Sequence, residues 1–454
     1  MRTRVLAAVA VTAATALTAT GCGAGSSGDG KSIKVAYWQH LNASNKQQTA
    51  FLKDKVKAFK KANPGKKVKL IPITASEKDY STKIQLMMRS PSTAPDLVME
   101  DTAFIHSDIA SGYLKPLDSY VKNWPDWKQY VDASQKAVTD KGKVYGIPSD
   151  TDTRGIWYNK DILRKAGVPV PFEPHSWADL LDAAKKVKKN VPGVTPLNIY
   201  TGTAGGEQST MQGMEMLLYG TPAGDNCLYN ESKKKWVVGS QAFKDALTFV
   251  KTVYSQGLGP AKSKALGANI GTQVATDLLP SGKLAMDIDG SWLPQHWLPT
   301  GDKPWKEWQS TMGTVAMPTQ HGQGSGKVSM SGGWAWAIPA NAKNADLAFT
   351  FQKLLQTKDN ATEWATSNAY IAPRKDVAKD PEYLKAVPTN KFFTSLLADT
   401  HYRPALPKYN QVSTAIQRAM ETVTTGGSVE KAAAAYDQDV KSAVGAKNVV
   451  KAGS

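Results

Sequence analysis

"KVYGIPSDTDTRGIWYNKDILRKAGVPVPFEPHSWADLLDAAKKV", residues 143–187, decides the fold. Near its end Ser176 stands where a helix N-cap belongs, with Asp179 three residues on, a variant of the capping box. "SWADLLDAAKKVKKN" then continues as a helix. Ahead of it come Tyr145-Gly146-Ile147-Pro148, Tyr158-Asn159-Lys160-Asp161 and Ala166-Gly167. Each motif alone is weak. Their ordered occurrence within 45 residues is a specific signal.

Toward the N-terminus, Ser32–Trp38 alternates and is rich in β-formers, so it reads as a strand. Gln47–Ala62 follows as a helix with Phe51, Leu52, Val56 and Phe59 on one stripe, ended by Asn63-Pro64-Gly65. Lys66–Ile73 is a second strand. The helix after it carries Tyr80, Ile84, Met87 and Met88 on one face, and Pro95–Glu100 is a third strand. This alternation implies a parallel sheet with right-handed crossovers. Ligands of such sheets sit beyond the carboxyl ends of the strands. Trp38, Glu100 and Asp101 therefore belong to a ligand-facing edge. Toward the C-terminus, amphipathic helices occupy Ser240–Gly257, Asn344–Thr357, Asn410–Val423 and Ser428–Val444.

The 454 residues suggest two or three domains. The formal charge is +17, but the lysines are spread along helices and no nucleic-acid-binding motif accompanies them. The six His are scattered without metal-ligand spacing, and there is no Walker loop and no G-x-S-x-G. There are 13 Trp against 10 Phe, an excess that suits sugar rings or interfaces. At the start, Arg2 and Arg4 precede an Ala-rich apolar run from Val5 to about Ala19, too short for a membrane span, which reads as an export signal. "LTATGC" resembles, loosely, the lipobox of bacterial lipoproteins. Residues 1–21 would be removed and Cys22 acylated, with residues 22–31 as a Gly/Ser tether. The alternative is a generic cleavage in which Cys22 is incidental. With Cys22 acylated, Cys227 has no disulfide partner, because the chain has 2 Cys.

The ordered motifs of residues 143–187 resemble those of the extracellular solute-binding proteins of ABC importers, the carbohydrate-binding group that includes maltose-binding proteins. "LLPSGKLAMDIDGSW" (Leu278–Trp292), the stretch Gly313–Leu355 and "NAYIAPRKDV" (Asn368–Val377) extend the likeness over nearly the whole mature chain. The resemblance implies a two-lobe α/β fold of the periplasmic-binding-protein type, with a ligand cleft between lobes that close by hinge motion. Its three crossings would lie near Pro148–Thr153, Gln320–Lys327 and Ile371–Lys375. The first lobe would take residues 32–149 and 324–373, the second 150–323 and 374–454.

The same resemblance implies that Trp292 stacks on a sugar ring, an apolar face of C–H groups meeting an indole. Core packing is the competing role for this residue. Trp38 and one of Trp334 and Trp336 are expected at the cleft, with Tyr370 beside the third crossing. Asp101, Asp150 and Asp152 are candidate acceptors for sugar hydroxyls. Arg374 matches a frequent family arginine that either meets ligand or pins the hinge. Trp124, Trp127, Trp305 and Trp308 carry no such match. The expected partners are a mono- or oligosaccharide, two permease transmembrane subunits, and a membrane through lipid on Cys22. A monomer without cofactor, metal, nucleic acid or catalysis is expected. Two rivals remain open: the same fold holding an acidic saccharide, polyamine or peptide, and a secreted glycosidase, which needs two convergent carboxylates.

Overall fold

The computed structural model describes residues 30–40 and 46–453. The proposed signal peptide, Cys22 and nearly all of the tether lie outside the described residues. The first sheet is built as the alternation predicts. Ser32–His40 pairs in parallel with Lys67–Ala75 on one side and with Leu97–Asp101 on the other. The helices Lys46–Ala62 and Glu77–Met88 connect them and bury Phe51, Leu52, Val56 and Phe59, and Tyr80, Ile84 and Met88. Ser76 caps the second helix by accepting from the Asp79 amide, a bond of about 1 kcal/mol. Two strands from later in the chain complete this sheet. Trp334–Ala337 runs antiparallel beside Leu97–Asp101, and Gly146–Pro148 pairs with its far side.

A second sheet has the order Met312–Val315, Arg154–Asn159, Leu284–Gly290, Thr195–Asn198. Helix Trp177–Asn190 lies on it, and Ser176 accepts from the Asp179 amide as the capping pattern predicts. The Asn159 side chain caps the preceding helix by accepting from the amides of Asp161 and Ile162. The C-terminal helices Tyr409–Thr424 and Val429–Val444 pack into the same lobe. Each lobe has its own apolar core: Ile33, Tyr80, Val98 and Trp336 in one, Ile156, Leu180, Met286 and Ile416 in the other.

Three segments join the lobes, and two of the expected boundaries move. The first crossing, around Ser149–Thr153, is held to the third by paired amides: Thr151 donates to the Ile371 carbonyl at 2.9 Å, and Ile371 donates back at 3.1 Å. The second crossing lies at Gly332-Gly333 rather than at Gln320–Lys327. Lys327–Ser331 is still a strand of the second lobe, paired with Met317–Pro318 and Thr400–Tyr402, and Val328 and Met330 enter that lobe's core. Gly333 has φ +121°, and a Cβ there would sit 2.4 Å from the Asp150 carbonyl oxygen. Only glycine lets the first two crossings touch. The third crossing is longer than expected. Beyond Arg374, Val377 and Tyr383 still pack on Ala361 and Ala365 of the helix Lys358–Asn368. The chain joins the second lobe near Val387 and Phe393, which meet Trp157 and Trp297.

Candidate functional site between the lobes

At the carboxyl ends of the first sheet's parallel strands stand Trp38 and Asp101, the candidate wall of an interlobe cleft, while Glu100, expected beside them, is 0% exposed. Trp38 is half-buried and stacks on Trp334, ring centroids 5.1 Å apart and 12° from parallel. Its indole N–H donates to the Ala75 carbonyl at 3.0 Å, which fixes the ring on the sheet edge. Tyr80 meets Trp334 edge-on at 6.0 Å. Trp334 and Trp336 share one side of their strand, as the alternation predicts. Trp336, only 2% exposed, lies within the first lobe's core and presents no face to the cleft. Trp334, 9% exposed in the same cluster, is therefore the candidate of the two for the cleft.

From the second lobe, the strand Leu284–Gly290 delivers Trp292. A Cβ on Gly290 would lie 2.0 Å from the Trp292 ring, so the glycine before the tryptophan is the space into which the ring folds. Trp292 is partly exposed and packs against the first lobe's apolar cluster although its chain belongs to the second. The Arg154 guanidinium lies over the same ring at 4.8 Å. Arg154 is itself held by Asp152, by the Met330 carbonyl at 3.1 Å and by Gln212 at 3.0 Å. The lobes also touch where Arg403 donates to Asp101 at 3.0 Å and to Thr102 at 2.8 Å, and where Gln47 donates to Thr300 at 3.0 Å.

The other expected residues divide by what already occupies them. Asp150 accepts from Ser149 at 2.7 Å, from the Trp334 amide at 3.2 Å and from the Trp364 indole at 3.2 Å. Its acceptor oxygens tie the first crossing to the first lobe, and burial pushes its carboxyl up to about 7. Asp152 accepts from Arg154 and from the Gly332 amide, joining the first and second crossings. Tyr370 is buried 6.1 Å from Trp364, and burial beside Asp150 and Asp152 raises its phenol. Arg374, 2% exposed, donates to Asp376 at 3.0 and 2.7 Å, to Asp126 at 3.0 Å and to the Gln356 carbonyl at 2.6 Å. These contacts favour pinning of the third crossing, the second of the two roles the sequence leaves open for Arg374.

Several charged groups of the cleft escaped the sequence reading. Glu77 opens the helix after the second strand and lies against Asp101, with burial and that neighbour holding its carboxyl well above the usual range. The position beyond a strand's carboxyl end could have flagged it. Arg403 follows a three-residue strand, and Glu207 follows a glycine bend; neither sits in a periodic pattern. Glu207 accepts from Tyr409 at 3.0 Å and lies 3.6 Å from Arg403. Glu215 ends the π-helical segment Ser209–Glu215, a geometry common at functional sites. Its carboxyl, buried and beside Glu207, is pushed up to about 8. The raised value makes a signed prediction. Between pH 4.5 and about 8 the folded protein keeps a proton that the unfolded chain releases, so this group's contribution to stability falls as pH rises. The stability of Glu215→Gln relative to wild type should therefore climb across that window and level off above it, read from denaturant unfolding at several pH values. A difference independent of pH would refute the assignment.

Comparison with known proteins fits this geometry. A profile of the bacterial extracellular solute-binding proteins matches residues 42–362. The galactooligosaccharide-binding protein of Bacillus subtilis (strain 168) is 26% identical over 443 residues, 97% of this chain and 95% of that protein. The arabinooligosaccharide-binding protein of the same organism is 24% identical over 337 residues, 73% of this chain and 71% of its own length. Among solved structures, the GacH receptor of Streptomyces glaucescens GLA.O superposes with a TM-score of 0.77 at 22% identity, covering 92% of this chain and 100% of that one. Maltose-bound T. maritima MalE3 gives 0.74 at 21% identity, covering 90% and 99%. A two-lobe fold and a family match across most of the chain agree: the protein belongs to the bacterial extracellular solute-binding protein family.

Proposed function

We propose that this protein is the saccharide receptor of an ABC importer. The observation that carries the reading is the stack of Trp38 on Trp334, with Trp292 of the other lobe packed against the same apolar cluster and carboxylates beside it. Indole faces suit the C–H faces of pyranose rings, and charged acceptors suit their hydroxyl rims. The oligosaccharide-binding relatives support the same ligand class. Ligand held by both lobes favours the closed form through contacts that the open form lacks, and permease subunits read that closure at the lobe rims. The protein performs no catalysis in this scheme.

Titration of intrinsic Trp fluorescence with neutral di- to tetrasaccharides, uronates and short peptides tests the ligand class. A saturable response to an oligosaccharide that is recovered intact is expected. A response confined to uronates or peptides overturns the neutral-saccharide reading, and cleavage of the sugar returns the glycosidase. We further propose extracytoplasmic anchoring through diacylglycerol on Cys22, whose acyl chains, at about 0.8 kcal/mol per buried CH₂, together hold the protein at the membrane. Cys22→Ser should shift the protein from the membrane fraction to the soluble fraction. Unchanged fractionation would exclude the anchor.

A further inference from the structure

The cleft holds more negative charge than the chain neutralises. Glu77, Asp101, Glu207 and Glu215 all interact with Arg403, whose side chain is 7% exposed. The Ser413 hydroxyl donates to Glu207 and the Ala103 amide to Asp101 at 2.6 Å, but these are neutral donors, and one guanidinium does not balance the cluster's charge. Its Nη2 serves Asp101 and Thr102, and its Nη1 reaches Glu207 only at 3.6 Å. Arg154, the other cation nearby, is bound to Asp152. The Tyr409 hydroxyl lies 3.0 Å from Glu207 and 3.1 Å from Glu215, but has one proton to donate. The second contact therefore needs a proton on a carboxyl, and Glu215, with its raised carboxyl, is the group that keeps one. The remaining oxygen of Glu215, Oε2, is buried without a hydrogen-bond partner in a residue 0% exposed.

Buried like charges that lack a counter-charge are held protonated or are costly. A sugar hydroxyl offers such a cluster one proton. An ammonium offers three N–H donors and a full positive charge, matched to several carboxylates at once. The cluster adjoins the aromatic wall, because Asp101 is the strand partner of Trp334. We propose that it is an ammonium subsite: the saccharide captured here carries an amino group seated among Glu77, Asp101, Glu207 and Glu215, at the edge of the Trp38–Trp334 wall. This inference rests on the saccharide-receptor reading and narrows it from sugars in general to amino sugars.

Calorimetric titration of the mature protein at pH 6.5 decides it. The probes are β-1,4-linked tetramers of glucosamine, N-acetylglucosamine and glucose, with maltotetraose as an α-linked neutral sugar. The glucosamine tetramer is expected to bind at least tenfold more tightly than the glucose tetramer, and the ratio should shrink in Glu77→Gln and in Glu207→Gln. The wild-type ratio is decisive without either variant. Equal or tighter binding of any neutral tetramer overturns the ammonium subsite and leaves the saccharide receptor standing. No binding of any of the four overturns both.

Discussion

Replacing Trp292 with alanine is expected to weaken saccharide binding about 100-fold, a loss of ~2.7 kcal/mol typical of a central aromatic anchor. The size follows from its position. The ring leaves the second lobe, folds over Gly290 and reaches the apolar cluster of the first lobe. On the proposed receptor function, a saccharide clasped by both lobes meets this ring. Alanine also releases the Arg154 guanidinium that now covers one face of the indole. Phenylalanine keeps a stacking face and is expected to recover most of the affinity. Fluorescence would lose one of its reporters in these variants, so calorimetry is the appropriate readout. An affinity within threefold of wild type in Trp292→Ala would return Trp292 to plain packing.

Arg374→Ala is expected to have the largest effect on stability, about 3 kcal/mol in denaturant unfolding. The guanidinium satisfies Asp376, Asp126 and the Gln356 carbonyl together and lies 5.8 Å from the Tyr130 ring centroid. Removal strands those acceptors and leaves a cavity at the third crossing. The figure is at the low end for breaking a buried pair because Asp376 and Asp126 are 26% and 39% exposed and regain water. Ligand affinity of the folded variant should change by less than about threefold, since the side chain turns away from the cleft. Lost affinity with unchanged stability would reverse the assignment and make Arg374 a ligand contact.

The elements were legible where local physics repeats. The stripe Phe51, Leu52, Val56, Phe59 and the cap at Ser176 appear as read, because periodicity and capping act within one or two turns. The two-lobe plan was legible only through the ordered motifs of residues 143–187. The cleft was partly legible. Strand ends and the G-x-W spacing singled out Trp38, Asp101 and Trp292 as the proposed cleft residues. Alternation alone could not separate Trp334 from Trp336, because both point to one side of a strand whose length carries it from cleft edge to core. Asp150, Asp152 and Arg374 look like ligand acceptors or donors in sequence, yet each is engaged by the crossings. Arg403 comes to the cleft from a loop and Glu207 from the start of a helical segment, through contacts separated by up to 302 residues, for which no local pattern exists. The second crossing was expected in the glycine-rich stretch Gln320–Lys327, whereas two chain segments touch at Gly333, a contact that no local pattern marks.

The late arrival of Trp334–Ala337 between Leu97–Asp101 and Gly146–Pro148 imposes an order of assembly. Gly146–Pro148 has no other neighbour in that sheet, so it cannot join until a strand almost two hundred residues downstream is present. A chain made from its N-terminus at ~5–20 residues per second leaves the first lobe incomplete for roughly tens of seconds. Contacts between such distant segments also form slowly. Throughout that interval the nascent polypeptide has no finished first lobe, so the interleaving that builds the hinge also sets how late its folding can close.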